Sequence, residues 1–305
     1  MRLGSLLQLS LIVWLASSPA SAAEPEPASN GGAPSVAELN KQLANPVSSL
    51  WSIAIQQNNY LIDVGPGESE RWNSNVNFQP VLPVAINDDW NLITRPVITA
   101  YNSVPHPRED RVPIEWTRTQ TFGDSVLMEL FSPSPKIAGN WLLGLGPTFI
   151  FPTANSKWTG QGKYQVGPAG LVGYLDEKWI AGALLQQWTS FSGAGSSRPD
   201  VSQMNLQPFA SLFFDHGWSV GYSGNILANF KADGGNVWTV PLGIAAGKIT
   251  KFGKLPVKIQ LAVQYMVARP DDFGQKWNFQ LMVVPVLPKL IKGQLSNPSS
   301  LSFGL

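Results

Sequence analysis

The chain has 305 residues, a formal net charge of +1, no Cys, and 13% charged against 44% hydrophobic residues. Average soluble domains carry about 25% charged residues, so this is not the composition of an ordinary solvated exterior. With no basic block, nothing points to nucleic acid as a partner. The absence of Cys excludes disulfides, thiolate chemistry and a lipid anchor on an N-terminal Cys; no cofactor is expected.

In chain order, Met1–Ala22 has the form of a secretory signal. Arg2 supplies the positive start, Leu6–Ala16 the apolar stretch, and Ala20-Ser21-Ala22 the small residues before a cut ahead of Ala23. The alternative, a membrane-anchoring helix, has too short an apolar run to cross a bilayer. Residues 23–47 read as a periplasmic linker with a short helix. Glu24–Ser35 is rich in Pro, Ala, Gly and Ser. Ser35 then caps a helix through Asn45, with Glu38 three residues on. Its apolar residues are few, and no function is assigned to it. No later stretch offers the roughly 18 uninterrupted apolar residues of a transmembrane helix.

Residues 48–289 instead alternate with a period of two. From Asn73, Val76, Phe78, Pro80, Leu82, Val84 and Ile86 interleave with Asn75, Asn77, Gln79, Val81, Pro83 and Ala85, before Asn87-Asp88-Asp89 break the run. About twelve such strands are expected, with ten to fourteen as bounds because Pro interrupts several. They are Ser49–Val64, the two runs flanking Asp88, Phe122–Phe131, Trp141–Phe151, Tyr164–Leu175, Trp179–Phe191, Gln203–Phe214, Trp218–Phe230, Val237–Ile249, Pro256–Ala268 and Lys276–Leu287. The phase of Trp179–Phe191 is ambiguous. A tail, residues 290–305, follows.

Short connections (87–89, 176–178, 215–217, 251–255) alternate with longer polar ones (104–121, 153–162, 193–202). That is the pattern of an all-β, antiparallel, up-and-down transmembrane barrel. Lipid offers the backbone no hydrogen bonds, so a sheet within it must close on itself. Trp90, Trp141, Trp179 and Trp218 each follow a short turn, whereas Trp158, Trp188, Trp238 and Trp277 lie toward the other ends. Two aromatic belts are expected from them. A soluble β-sandwich also alternates, but the signal segment, the low charge, the Trp spacing and the loop asymmetry favour the barrel.

The polar faces of the strands are the candidate lumen. They carry Asn77, Gln79, Arg95, Glu129, Gln203, Asn205, Gln207, Asn225, Lys258, Gln260, Gln264 and Gln280. These residues either line a solute path or knit into an amide network that fills a narrow barrel. Twelve strands leave a narrow lumen, easily obstructed by the segment before Asn45. Catalysis has little to stand on. His106 and His216 belong to opposite rims, Ser103 and Ser125 near His106 form no triad motif, and solvated loop histidines are the plainer explanation. Glu109-Asp110 and Asp271-Asp272 could offer oxygens to Ca²⁺ but read more simply as solvated acidic loops; no metal is expected.

The chain resembles the bacterial outer-membrane family known as the meta-pathway of phenol degradation proteins, some of which carry the name neuromedin U in error. The resemblance rests on Leu43-Ala44-Asn45-Pro46-Val47, Asn77-Phe78-Gln79-Pro80, Asn87-Asp88-Asp89-Trp90-Asn91-Leu92, Gly123-Asp124, Phe131-Ser132-Pro133, Gly146-Pro147, Gly167-Pro168, Leu206-Gln207-Pro208 and Trp238-Thr239-Val240-Pro241-Leu242. It spans Leu43 to Lys289. It implies a transmembrane barrel in the outer membrane with a transport role, and no agreed site residues. The expectation is a non-enzymatic channel passing small neutral, hydrophobic or aromatic solutes by passive diffusion. Its partners would be outer-membrane lipid, the solute and the barrel-assembly machinery. A lipid-modifying enzyme and a closed structural or receptor barrel are the alternatives.

Overall fold

The computed structural model describes residues 34–65, 68–108, 115–193, 198–271, 273–289 and 291–303. The signal segment and the linker up to residue 33 lie outside the described residues, as do Glu109, Asp110 and Asp272.

Period-two alternation leaves each segment no way to bury an apolar stripe as a helix, and every alternating run forms a strand. These are β1 (Trp51–Asp63), β2 (Arg71–Ala85), β3 (Trp90–Pro107), β4 (Trp116–Phe122), β5 (Ser125–Pro133), β6 (Trp141–Phe151), β7 (Lys163–Leu175) and β8 (Trp179–Gly193). They continue as β9 (Ser202–Phe213), β10 (Trp218–Ser223), β11 (Ile226–Asn229), β12 (Trp238–Phe252), β13 (Leu255–Ala268) and β14 (Gly274–Leu287). β4 and β5 both pair with β3 and make one stave; β10 and β11 both pair with β9 and β12 and make another. Twelve antiparallel staves result. β14 returns to β1, from Trp51↔Leu287 to Asp63↔Gly274, and closes the barrel.

The expected ninth strand is split at Gly224-Asn225, and much of the stretch expected as the long loop 104–121 is strand instead: β3 runs on to Pro107 and β4 covers Trp116–Phe122, separated from β5 by Gly123-Asp124. Other interruptions follow proline, which has no N–H to donate. β2 and β3 pair at Phe78↔Ile98 and next at Leu82↔Thr94, with Pro80 and Pro96 between. Around Pro147 the ladder skips from Met128↔Thr148 to Phe131↔Leu145, and around Pro168 from Val166↔Thr189 to Ala169↔Gln186. The Gly before each of those two prolines is a packing necessity. A Cβ on Gly146 would sit 2.0 Å from the Glu129 carbonyl oxygen, and one on Gly167 1.9 Å from that of Gln187.

The outward face is apolar and open: Leu145 is 69% exposed, Ile244 62% and Leu261 61%. A contiguous apolar surface of this extent calls for an apolar surrounding. The inward face has two parts. At the short-turn end, across β3 to β8, Ile93, Met128, Leu130, Leu142, Leu171, Ile180 and Leu184 pack together as an apolar core within the barrel. Elsewhere the inward face is dominated by amides.

The helix α1 (Val36–Ala44) completes the filling. The Ser35 hydroxyl caps it, accepting from the Glu38 N–H at 3.1 Å. Leu39 and Asn40 are both buried, and the Asn40 side-chain amide donates to the Gly217 and Trp218 carbonyls at 3.3 and 3.1 Å. Ala44 and Val47 then pack on the apolar core. The helix expected within a periplasmic linker is thus a plug in the short-turn end of the barrel.

The tail also has structure. β15 (Ile291–Gln294) and β16 (Asn297–Phe303) form a hairpin beyond the barrel. It joins the end of β2 through Leu295 N–H to the Ala85 carbonyl and Ser296 N–H to the Ile86 carbonyl. Next to it the acidic turn is held by the Asn87 side-chain oxygen, which accepts from the N–H groups of Asp89 and Trp90 at 2.9 Å each.

The apolar inner core yields a direct stability prediction. Leu130 is fully buried and has Gly144 opposite it, so little can collapse into the space it leaves. Leu130→Ala should cost about 2–5 kcal/mol in urea unfolding of the detergent-solubilised barrel; a cost under about 1 kcal/mol would place this side chain outside a packed core.

Candidate functional site

The lumen above the plug is built from alternate residues of β1, β2, β3, β9, β13 and β14. The register puts Gln56 opposite Asn77 and Met282, and Asn58 opposite Asn75 and Gln280, so amides from neighbouring staves meet. They bond in sequence. Gln79 donates to Gln56 (3.1 Å), Gln56 and Gln280 donate to the Asn58 oxygen (3.0 Å each), and Asn58 donates to Asn75 (2.9 Å). Asn77 accepts from Thr99, and Gln264 accepts from Asn278 while donating to the Ser223 carbonyl at 2.8 Å. On the opposite wall Gln203 donates to Gln165 at 2.8 Å and exchanges bonds with Gln161. A network with this many mutual partners holds its members in place.

Between the amides and the plug lies a cavity of about 170 Å³. Its floor is Gln42 to Pro46, at the end of α1 and just past it; its walls include Gln79, Arg95, Gln207, Asn225, Lys258, Gln260 and Gln280. Val81, Ile180, Phe209 and Met282 add apolar surface. Arg95 and Lys258 are its only cations, and its lining contains no carboxylate. Lys258 is 3% exposed, and the Arg95 Nη1 is sealed from solvent with no hydrogen-bond partner. Room for the lysine comes from Gly247 on β12, where a Cβ would stand 3.1 Å from Lys258 Cε.

Of the twelve candidate lumen residues, seven therefore line this cavity: Gln79, Arg95, Gln207, Asn225, Lys258, Gln260 and Gln280. Gln203 and Gln264 belong to the amide networks, Asn77 accepts from the Thr99 hydroxyl, and the Asn205 side-chain oxygen is buried without a partner. Glu129 is a correction. Its neighbours Met128 and Leu130 are the inward residues, so Glu129 shares the outer face with Phe131, and its carboxylate accepts from the Thr94 hydroxyl at 2.7 Å. Trp188, expected in an aromatic belt, is a second correction. It is 5% exposed inside the barrel, and its indole N–H donates to the Thr148 hydroxyl at 3.1 Å, which also accepts from Gln186.

Six of the other tryptophans, Trp90, Trp141, Trp179, Trp218, Trp238 and Trp277, sit on strands and face outward; Tyr174 joins Trp141 and Trp179 at 5.3 and 5.6 Å. Trp158 stands apart, in the loop after β6, where it stacks on His106 at 5.2 Å. Ser103, near His106 in sequence, accepts from Arg118 at 2.6 Å instead. Ser125 bonds Thr153, and His216 is in the short turn at the other end. Among the described residues no cluster could hold a metal ion.

Not singled out from sequence were Gln56, Asn58, Asn75, Thr148, Gln165 and Gln186, which knit the networks, and Asn40, which anchors the plug. Asn75 shares the face of Asn77 by alternation along β2, and Gln56 and Asn58 share a polar face by alternation along β1, so that signal could have found these three.

Because the chain contains no Cys, single-Cys variants report side-chain orientation cleanly. Glu129→Cys in a bilayer should react with a lipid-dissolved maleimide, and Trp188→Cys should not. The reverse pattern would refute the assignment of faces.

No protein-family model matches the chain, and no curated protein matches it. Among solved structures it is similar to the COG4313 outer membrane channel from Pseudomonas putida F1, at 16% identity and a TM-score of 0.56, over 78% of this chain and 96% of that one. Weaker likenesses are to the toluene transporter TbuX of Ralstonia pickettii (10% identity, TM-score 0.37, 80% and 92% covered) and a FadL homologue of Pseudomonas aeruginosa (10%, 0.36, 79% and 91%). At such scores these two carry no weight. The first likeness shows the fold: the chain has the closed, twelve-stave, antiparallel architecture of an outer-membrane barrel.

Proposed function

We propose that the chain is an outer-membrane channel that passes small solutes by passive diffusion, with α1 as the obstruction in its lumen. The observation that carries this reading is a closed barrel, apolar outside, whose interior holds an amide-walled cavity directly on top of a helix. An apolar exterior suits lipid, and a sheet without edges suits a medium that offers no hydrogen bonds. The outward tryptophans would then stand in two belts at the lipid interfaces. Outer-membrane lipid and the machinery that assembles barrels are the partners this location implies, after removal of the signal segment.

The solutes would be small and neutral or hydrophobic. Amides can exchange hydrogen bonds with a polar group on a solute, and Val81, Phe209 and Met282 offer apolar contact. The sequence resemblance to the phenol-degradation family supports aromatic compounds. The same resemblance, and the bonding of Ser103 to Arg118 rather than to His106, favour a channel over a lipid-modifying enzyme. The plug and the knit amides favour the closed-barrel alternative, and flux decides between the two.

In planar bilayers the full chain should conduct weakly. Deletion of residues 24–45, or Asn40→Ala, which removes both bonds of the plug to the 217–218 backbone, should raise conductance several-fold. Absence of current and of solute flux in all three proteins would refute the channel.

A further inference from the structure

Two cations inside one cavity, with no carboxylate among the groups that line it, make an incomplete electrostatic arrangement. Among the described residues Arg95 and Lys258 form no ion pair and no hydrogen bond, and Arg95 Nη1 is shut off from solvent. Lys258 reaches the cavity past Gly247, the position where a side chain would crowd it. Glu129, which follows the register partner of Arg95, lies on the other side of the wall and is bonded to Thr94. Burying a charge without a counter-charge is costly unless something else neutralises it.

We propose that the cavity above the plug binds an organic monoanion, a carboxylate carried on a single-ring apolar body, with Arg95 and Lys258 as its counter-charges. Arg95 presents a planar fork suited to a carboxylate, and Lys258 adds a point charge. The same lining supplies Val81, Ile180, Phe209 and Met282 for the ring. Size agrees: the cavity is about 170 Å³, and an apolar cavity of about 150 Å³ holds a benzene molecule. A bare inorganic ion would leave the apolar surface unused, and a neutral aromatic would leave both cations uncompensated. The proposal takes from the channel reading only the way in and sets an anionic occupant at this cavity in place of that reading's neutral solute; binding to the purified barrel is measured apart from flux, so either can fail alone.

Titration calorimetry on the full chain in detergent tests it, with sodium benzoate, benzyl alcohol and sodium phosphate as probes. Benzoate should bind at one site per chain at least about tenfold more tightly than benzyl alcohol, and phosphate should not displace it. Arg95→Gln and Lys258→Gln should each weaken benzoate by about 10- to 100-fold and leave benzyl alcohol unchanged. Equal affinity for benzoate and benzyl alcohol, or wild-type benzoate affinity in both variants, would overturn the proposal. Displacement of benzoate by equimolar phosphate would overturn its apolar half. Should a variant lose the heat-modifiable gel migration of a folded barrel, the wild-type contrast between benzoate and benzyl alcohol still decides.

Discussion

The pairing of β1 with β14 is the contact on which everything else depends. Once these two strands pair along their length, no stave has a free edge and twelve staves enclose a fixed interior. That interior is narrow enough to be filled by side chains and one short helix. Apolar residues of β3 to β8 fill the short-turn end, α1 lies over them, and the amides occupy the rest. Without closure the amides of β1 and β14 would not meet, and Asn58 would lose its bond from Gln280.

Closure also sets the electrostatics. An enclosed lumen cannot screen a charge as open solvent does, so each ionisable residue on the inner wall has a consequence. The wall here carries Arg95 and Lys258 in one cavity and sends Glu129 outside. The plug adds Gln42 and Asn45 to that cavity but no acid. Electrostatic asymmetry and mechanical obstruction thus occupy the same level of the barrel, so whatever moves α1 also alters the floor beneath the two cations.

How much of this was legible in the sequence follows from where alternation survives. On β2, β13 and β14 the lumen is polar and the outside apolar, and the inward residues could be read off every second position. On β5 and β8 the inner face is itself a core. Met128 and Leu130 inside resemble Leu127 and Phe131 outside, so the pattern has no contrast, and the polarity of the one charged residue, Glu129, points to the wrong face. The same lack of contrast hides the inward direction of Trp188, in the strand whose phase is ambiguous. The plug was hidden differently. It holds by Leu39 and by the bonds of Asn40 to carbonyls some 177 residues away, and neither shows as a hydrophobic pattern. The strand breaks at Gly123 and Gly224 and the hairpin in the tail depend likewise on partners distant in the chain.

Cross-linking of the first stave to the last tests closure most directly. Ile55 and Val283 face each other across the β1–β14 seam, and Gln57 and Val76 across β1–β2. Neighbours in register bring Cβ atoms to about 4.5–5.5 Å, near the span of a disulfide. In the membrane-inserted protein a Cys pair at 55 and 283 should oxidise to a disulfide as fully as a pair at 57 and 76. A pair at 57 and 76 that cross-links while the pair at 55 and 283 stays reduced would contradict a closed twelve-stave barrel.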